Sequence, residues 1–268
     1  MHTDPDTLFE RLWESYRQVT PSAERIHKIL GAEEGQAIVN DHIALRTFNL
    51  DPVRLDALAE HFLSLGYRQG GEYHLEAKKL YARHYEHPSL ELPKVFISEL
   101  LVEQCSPELQ SVVKRLVEQV RPEAVAADDF LYSGRHWQVD YGTYRELMKE
   151  SEYAAWMAAW GYRANHFTVS INHLDQFRSV PEINQLLKAH GYKVNASGGE
   201  VKGSPEDLLE QSSTMADRVP VAFADQTVTI PSCFYEFALR YPKPDGQLYS
   251  GFVAASADKI FESTNAGS

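Results

Sequence analysis

The chain has 268 residues and a formal net charge of −12, from 38 acidic residues against 26 Lys and Arg. Its hydrophobic content of 43% and charged content of 24% are typical of a globular protein with a buried core. The acidic balance argues against a broad nucleic-acid or anionic-membrane surface, because both need a basic face. A single local arginine can still bind a small anion.

The cysteines and the N-terminus bear on the compartment. Cys105 and Cys233 lie far apart and form no CxxC pair, so we expect no disulfide framework and a reducing environment. No basic region followed by an apolar run opens the chain, and no apolar stretch reaches the roughly 18 residues of a membrane span. These features predict a cytoplasmic protein without a membrane partner, and they leave its oligomeric state open.

The chain opens with a predicted helical segment, residues 1–36. Apolar side chains recur at helical spacing from residue 7 to residue 31, and Gly31 can end the helix. A first α/β unit follows over residues 37–104. Its predicted elements are a strand over 37–49, a helix from Asp51 to about Leu65, and strands over 75–87 and 94–101.

Residues 105–162 are predicted to form a helical insertion between two units. Its helices start at Ser106 and at Tyr144, and the second runs to Trp160. The second α/β unit covers residues 163–262, and we expect residues 263–268 to be a disordered tail. The predicted elements of the second unit are a strand over 166–171, a helix from Val180 to Gly191, a Gly- and Ser-rich loop over 195–206, and strands over 219–223, 226–230 and 234–241.

The two units repeat one pattern around a histidine. His42 and His166 each lie inside a strand-like stretch that an amphipathic helix follows. Each copy continues with a Gly-Tyr-basic turn and a Gly-Gly-Glu turn. These turns are at 66–68 and 70–72 in the first copy and at 191–193 and 198–200 in the second. Because a repeat determines the architecture, we predict two copies of one small α/β unit that share a metal between their histidines.

Strand alternation places possible metal ligands and arginines on common faces. The predicted sets are His42, Ala44 and Arg46; His166, Thr168 and Ser170; and Glu236, Ala238 and Arg240. Two His and one carboxylate on converging strands form a facial triad, which leaves three positions open on an octahedral Fe(II) ion. A 2-oxo acid can fill two of these positions and O2 the third. Arg46 can then clamp a distal carboxylate of the acid through two hydrogen bonds.

Three motifs on these strands resemble a known family. The motifs His42-x-x-x-Arg46, Asn165-His166-Phe167 and Tyr235-Glu236-Phe237 resemble the metal and substrate motifs of the 2-oxoadipate dioxygenase/decarboxylase family, also called hydroxyglutarate synthases. That family belongs to the vicinal oxygen chelate superfamily. The resemblance therefore implies an α+β fold in which paired βαβββ modules form a cupped, mostly antiparallel sheet with added helices.

The same resemblance implies an activity and a site. The activity is the conversion of 2-oxoadipate and O2 into 2-hydroxyglutarate and CO2, a step of lysine catabolism, with Fe(II) as cofactor. His42, His166 and Glu236 would bind the iron, and Arg46 would be the catalytic substrate anchor. The partners would be a small anionic 2-oxo acid and O2.

Three further residues are candidate substrate contacts. Gln211 and Ser213 stand in the stretch 208–214, which also resembles a family segment near the pocket. Arg240 follows Glu236 on the same predicted strand face. Glutamine and serine in such a stretch are more often ordinary hydrogen-bonding loop residues, and this interpretation stays open for both.

Other functions also fit the sequence. Glu99 ends the first unit as Glu236 ends the second, so repeat symmetry offers it as a fourth ligand or a base. A non-redox isomerase or lyase of the glyoxalase type, with Zn(II), Ni(II) or Mn(II), would use such a ligand. We favour the ordinary interpretation of Glu99 as a rim or salt-bridged residue. Arg46 could instead pair with a buried acid, and a non-catalytic binding protein of the same fold is a third hypothesis.

Overall fold

An eight-stranded sheet forms the centre of the computed structural model, which describes residues 1–265. Its strands are β1 (Asn40–Phe48), β2 (Arg68–Leu75), β3 (Leu80–Glu86), β4 (Lys94–Leu100), β5 (Ala164–Ser170), β6 (Lys202–Ser204), β7 (Leu209–Ser213) and β10 (Phe234–Arg240). They lie in the order β2-β3-β4-β1-β5-β10-β7-β6. Two further strands, β8 (Arg218–Ala222) and β9 (Thr227–Pro231), pair with each other outside this sheet.

The strand order shows the repeat directly. β1 pairs in parallel with β4, and β5 pairs in parallel with β10. β1 and β5 run antiparallel at the centre, and the outer pairs are antiparallel as well. Each unit is thus a strand, a helix and three strands, and the second unit carries the β8–β9 hairpin before its last strand. The predicted fold class, paired βαβββ modules in a mostly antiparallel sheet, is confirmed.

Helices pack around this sheet. They are α1 (Pro5–Val19), α2 (Ser22–Ile29), α3 (Leu55–Leu63), α4 (Pro107–Val117), α5 (Pro122–Val125), α6 (Tyr141–Glu150), α7 (Glu152–Trp160), α8 (Val180–Ala189) and α9 (Ala254–Ile260). The predicted single helix over 7–31 is two helices, because Pro21 has no N–H for a continuing helix. None of the described helices is long and apolar enough to cross a membrane.

The predicted helix from Tyr144 to Trp160 is also two helices. Ser151 ends α6 in an extended conformation, and its hydroxyl accepts a hydrogen bond from the backbone N–H of Ala154, which caps α7. α7 is buried from Tyr153 to Trp160. Its Tyr153 hydroxyl accepts from the backbone N–H of Thr47 at 3.0 Å, and this contact holds α7 against β1.

Two strand predictions were wrong in detail. The stretch 75–87 is not one strand, because the chain turns at residues 76–79 between β2 and β3. The stretch 195–206 is not only a loop, because it contains β6. The edge strand β6 has three residues and includes Gly203, whose φ is +79°. A strand this short carries no alternation that a sequence pattern could detect.

The C-terminal end differs from the expected disordered tail. A 3-10 turn over Phe261–Thr264 follows α9, and Ser263 and Thr264 are buried. Ser263 bonds to Ser213, and Thr264 bonds to Arg46, so polar contacts with the core hold this segment in place. The tail prediction was therefore wrong for Ser263 and Thr264, and its residues 266–268 lie outside the described part of the chain.

Candidate active site

Three central strands bring two histidines and one glutamate together. His42 comes from β1, His166 from β5 and Glu236 from β10. The Nε2 atoms of His166 and His42 lie 3.1 Å and 3.4 Å from the two carboxylate oxygens of Glu236. One ligand atom from each residue lies within 4.8 Å of the other two, and all three residues are buried. The three strands therefore bring the predicted ligand atoms close enough together to bind one metal ion.

The residue before each histidine orients the ring. His42 Nδ1 donates to Asp41 Oδ2 at 2.8 Å, and His166 Nδ1 donates to Asn165 Oδ1 at 3.1 Å. With the proton held on Nδ1, each ring directs the Nε2 lone pair toward Glu236. Metal-binding histidines are commonly fixed in this way by an oxygen on the far nitrogen. Both copies of the repeat thus place a polar orienting residue directly before the histidine.

Charges at this point fit a bound cation. Burial lowers the pKa of His166, which favours the neutral imidazole that binds a metal ion. Burial raises the pKa of Glu236, but the neighbouring His42 and His166 outweigh this effect, and its pKa falls below the ordinary value. Two imidazole lone pairs and a carboxylate that face each other repel unless a proton or cation lies between them. Two ligand atoms about 2.1 Å from an ion and at right angles lie about 3 Å apart, close to the observed separations.

The donor set also fits ferrous iron. Two imidazole nitrogens and one carboxylate oxygen are the ligands of non-haem Fe(II) sites that keep open positions. Gln211 Nε2 donates to Glu236 Oε1 at 2.5 Å and so fixes the carboxylate. The residues present are therefore suited to an iron ion, with His42, His166 and Glu236 as its protein ligands.

A small cavity adjoins the triad. Its volume is about 20 Å³, which is room for about one water molecule. The cavity has a polar floor and an apolar roof. The floor residues are His42, His166, Gln211 and Glu236, and the roof residues are Phe96, Phe252, Ala257, Ile260 and Phe261. Most of the roof comes from the segment after β10 and from α9.

Arg46 lies behind this roof. Its guanidinium donates to Glu152 at 3.3 Å and to Thr264 Oγ1 at 3.1 Å. The ring of Phe261 lies 4.8 Å from the guanidinium carbon and also lines the cavity. Arg46 is 2% exposed, and its Nε has no partner among the described residues. Arg46 thus has an acidic partner, the partly buried Glu152, and its role as substrate anchor stays a prediction.

The three other candidate substrate contacts differ in position. Gln211 lines the cavity, as expected. The Ser213 hydroxyl instead bonds to the Ser263 hydroxyl at 2.8 Å. Arg240 does not line the cavity, because it pairs with Asp41 at 2.6 and 2.9 Å and donates to two backbone carbonyls. Ser213 and Arg240 thus bind other protein groups beside the cavity in this structure, and direct substrate contact by either residue stays a prediction.

Glu99 is not part of the metal cluster. Its carboxylate accepts a hydrogen bond from the backbone N–H of Leu55 at 2.8 Å, at the first turn of α3. Burial raises the pKa of this carboxyl. Strand alternation turns Glu99 toward α3, away from the triad. The alternative that used Glu99 as a fourth ligand was therefore wrong.

Sequence reasoning missed most of the cavity roof. Phe252 and Phe261 stand in a stretch that we assigned no element, and α9 between them has only seven residues. It also missed Asp41 and Asn165 as orienting residues. A signal was available for these two, because an Asp or Asn directly precedes the histidine in both copies.

A family model and a relative of known name each match most of this chain. Residues 6–246 match the family model described as 2-oxoadipate dioxygenase/decarboxylase. A chloroplastic/amyloplastic 2-oxoadipate dioxygenase/decarboxylase of Oryza sativa subsp. japonica is 35% identical over 97% of this chain and 78% of its own length.

Two crystal structures are similar over almost the whole fold. The Oryza sativa hydroxyglutarate synthase in complex with 2-oxoadipate has a TM-score of 0.89 and 35% identity, over 97% of this chain and 91% of that chain. A protein from Shewanella frigidimarina NCIMB 400, described as a candidate hydrolase, has a TM-score of 0.91 and 62% identity, over 95% of this chain and all of that one.

Proposed function

Because the chain belongs to the 2-oxoadipate dioxygenase/decarboxylase family, we propose that it is an Fe(II)-dependent enzyme that converts 2-oxoadipate and O2 into 2-hydroxyglutarate and CO2. The observation that carries this proposal is the buried cluster of His42, His166 and Glu236. The reaction balances without another reductant, since both oxygen atoms of O2 end in the two products.

The substrate class is supported by a relative and by the cavity. The Oryza sativa synthase structure contains 2-oxoadipate. A 2-oxo dicarboxylic acid combines a chelating 2-oxo carboxylate, an aliphatic chain and a second carboxylate. In this chain the polar floor would face the chelating end, and Phe252 and Phe261 would pack against the aliphatic chain.

Arg46 would bind the second carboxylate. It follows His42 by four residues on β1, about 13 Å along the strand, and it is separated from the cavity by the Phe261 ring. A substrate carboxylate would replace Thr264 and compete with Glu152 for the guanidinium. The planar guanidinium of Arg46 suits such a two-point contact better than a lysine ammonium would.

The residues of the chain have limited but specific tasks in this reaction. Bound Fe(II) supplies the sites for the 2-oxo acid and O2 and the electrons that start the reduction of oxygen. His42, His166 and Glu236 would hold the ion and would leave open positions for the ligands. The apolar roof excludes water from the reacting atoms. No described side chain is needed as a general acid or base.

Iron loading tests this proposal. We expect wild-type protein reconstituted with Fe(II) to bind one iron per chain and to consume O2 when 2-oxoadipate is added, with one CO2 released per O2. Glu236→Gln should lose iron and O2 uptake together. Glu99→Gln is the control on β4, the strand of the first unit that corresponds to β10, and should keep both.

Two results would contradict the proposal. One is iron binding by Glu236→Gln at the wild-type level. The other is the absence of O2 uptake with every 2-oxo acid in a panel. Bound zinc or nickel with turnover that needs no O2 would support the non-redox alternative instead, although Glu99 is not placed to serve it.

A further inference from the structure

Phe252 is held by several ring contacts although its backbone is irregular. It lies between β10 and α9, in a stretch without regular structure. Its ring meets the His42 ring edge-on, with centroids 4.8 Å apart, and lies 5.1 Å from Phe96. Only 7% of the residue is exposed. Phe252 is thus the roof residue in ring contact with a proposed metal ligand.

A buried ion pair anchors the segment that carries Phe252. Arg240 donates to the carbonyl oxygens of Tyr249 at 2.9 Å and Gly251 at 2.8 Å. The guanidinium carbon also lies 5.1 Å from the centre of the Phe252 ring. On its other side, Arg240 binds Asp41 through two hydrogen bonds. Because Asp41 orients His42, one ion pair positions both the metal ligand and the roof.

A second chain of hydrogen bonds holds the Phe252 backbone. The N–H of Phe252 donates to the Tyr73 hydroxyl at 3.0 Å, which donates to His84 Nδ1 at 2.8 Å. His84 Nε2 in turn donates to Glu86 at 2.8 Å. His84 is 2% exposed, and the proposed reaction uses neither it nor Tyr73.

The first Gly-Gly-Glu motif makes room for this chain. A Cβ at Gly70 would lie 2.2 Å from His84 Nε2 and 2.7 Å from the Glu86 carboxylate. Any side chain at this position would therefore displace the His84–Glu86 pair. The His84–Glu86 pair therefore requires a glycine at position 70, and the pair stabilises the roof segment through Tyr73.

Resting on the proposed function, we propose that Phe252 determines which 2-oxo acids fit, and that Arg240, Tyr73 and His84 are positioning residues that hold it. Phe252 lines the cavity beside the triad and contacts the His42 ring, so its side chain limits how much aliphatic chain fits next to a bound 2-oxo carboxylate. One methylene more or less in an apolar pocket changes selectivity by about 10- to 200-fold. A smaller side chain at 252 should therefore admit longer acids.

Binding measurements test the role of Phe252. Dissociation constants for 2-oxoadipate and its longer homologue 2-oxopimelate are measured by calorimetry on iron-loaded protein without O2. We expect Phe252→Ala to keep its iron and to lose about tenfold or more of the preference for 2-oxoadipate. Phe252→Leu should lose less of this preference. If the alanine variant does not fold, the leucine variant is the test.

The matched control is Phe223→Ala. Phe223 is also 7% exposed, and it packs against Tyr141 and Tyr144 instead of the cavity residues. It should lose a similar amount of stability and keep the wild-type preference. An unchanged preference in both Phe252 variants would overturn the proposal. Wild-type protein that binds no 2-oxo acid would instead overturn the proposed function.

Hydrogen exchange tests the positioning residues without substrate. Tyr73→Phe removes the acceptor of the Phe252 N–H, so a peptide containing Phe252 should exchange about fivefold faster or more, the factor expected for one hydrogen bond. Tyr81→Phe is the control, since that hydroxyl bonds to Glu72 and Arg83. The preference for 2-oxoadipate should fall in Tyr73→Phe only. Unchanged protection at Phe252 would contradict the positioning role.

Discussion

At the scale of single residues, Asp41 has two tasks. Its carboxylate orients the ring of His42 and neutralises Arg240, and both partners are buried with it. Burial raises the pKa of Asp41, but the Arg240 charge beside it prevails, and the pKa lies well below its ordinary value. The site therefore depends on a charge that no sequence motif assigned to it.

Replacing this carboxylate should disturb the fold and the metal together. We expect Asp41→Asn to lower the free energy of unfolding by about 3–5 kcal/mol, because Arg240 stays buried without a counter-charge. Iron affinity should fall about 10- to 100-fold, since His42 loses a charged orienting group. Denaturant unfolding and iron titration measure the two effects.

The control for Asp41→Asn is a surface ion pair. Asp56 binds Arg83 at 2.5 Å with 65% of its side chain exposed. Asp56→Asn should cost about 1 kcal/mol or less and leave iron binding unchanged. Equal losses in the two variants would show that burial does not determine the contribution of Asp41.

His27 makes stability depend on pH. Its ring stacks on Trp13, with centroids 4.7 Å apart, and burial lowers its pKa from 6.5 to about 4. In the unfolded chain the imidazole takes up a proton first, so the folded state loses stability as pH falls from about 6.5 to about 4. The loss is up to about 3 kcal/mol, at about 1.4 kcal/mol per pH unit.

Unfolding measured across this pH range tests the contribution of His27. The slope of unfolding free energy against pH should be smaller in His27→Gln than in the wild type. His74→Gln, which replaces an exposed histidine, should keep the wild-type slope. Identical slopes in all three proteins would contradict the burial effect.

At the scale of elements, sequence patterns predicted the long, continuous strands. β1, β5 and β10 were predicted because each is an extended run of mostly buried residues. The breaks at Pro21 and Ser151 were missed, since helical spacing of apolar residues continues across both. β7 and α9 are too short for periodicity to detect. The departure of β8 and β9 from the main sheet depends on tertiary pairing, which no local pattern encodes.

The edge strand β6 depends on one glycine. Gly203 has a φ of +79°, and a Cβ there would lie 2.2 Å from the carbonyl oxygen of Leu209 on β7. We expect Gly203→Ala to destabilise the protein by about 2–3 kcal/mol, from the left-handed conformation and this clash together. Thermal unfolding measures the effect.

Gly191 is the control that separates the steric clash at Gly203 from the cost of a left-handed backbone. Its φ is +82°, and a Cβ would meet nothing within 4 Å. Gly191→Ala should therefore cost only about 1 kcal/mol, the conformational part alone. If both variants lost the same stability, contact with Leu209 would not be the cause.

At the scale of the whole molecule, the repeat predicted the metal triad but did not predict the roof that covers the cavity. Equivalent strands of the two units supplied His42 and His166, and Glu236 came from the last strand of the second unit. Most of the roof comes from a C-terminal segment with no counterpart in the first unit. Its packing over Arg46 depends on side-chain contacts between distant parts of the chain, such as Thr264 with Arg46.

Substrate entry should require this segment to move. The cavity of about 20 Å³ is far below the roughly 300 Å³ at which ligand sites begin. We expect peptides from residues 254–264 to exchange amide hydrogens faster in iron-loaded protein than after 2-oxoadipate is bound without O2. Peptides from α4, which contributes no residue to the cavity lining, should not change. Equal protection of residues 254–264 in both states would show that the acid enters elsewhere.

The central claim is that His42, His166 and Glu236 hold one iron ion. Anomalous diffraction at the iron absorption edge, on crystals of the iron-loaded protein, tests it most directly. We predict a single peak between the Nε2 atoms of both histidines and the carboxylate of Glu236. A peak at any other place, or none at this point in crystals that contain iron, would contradict the claim.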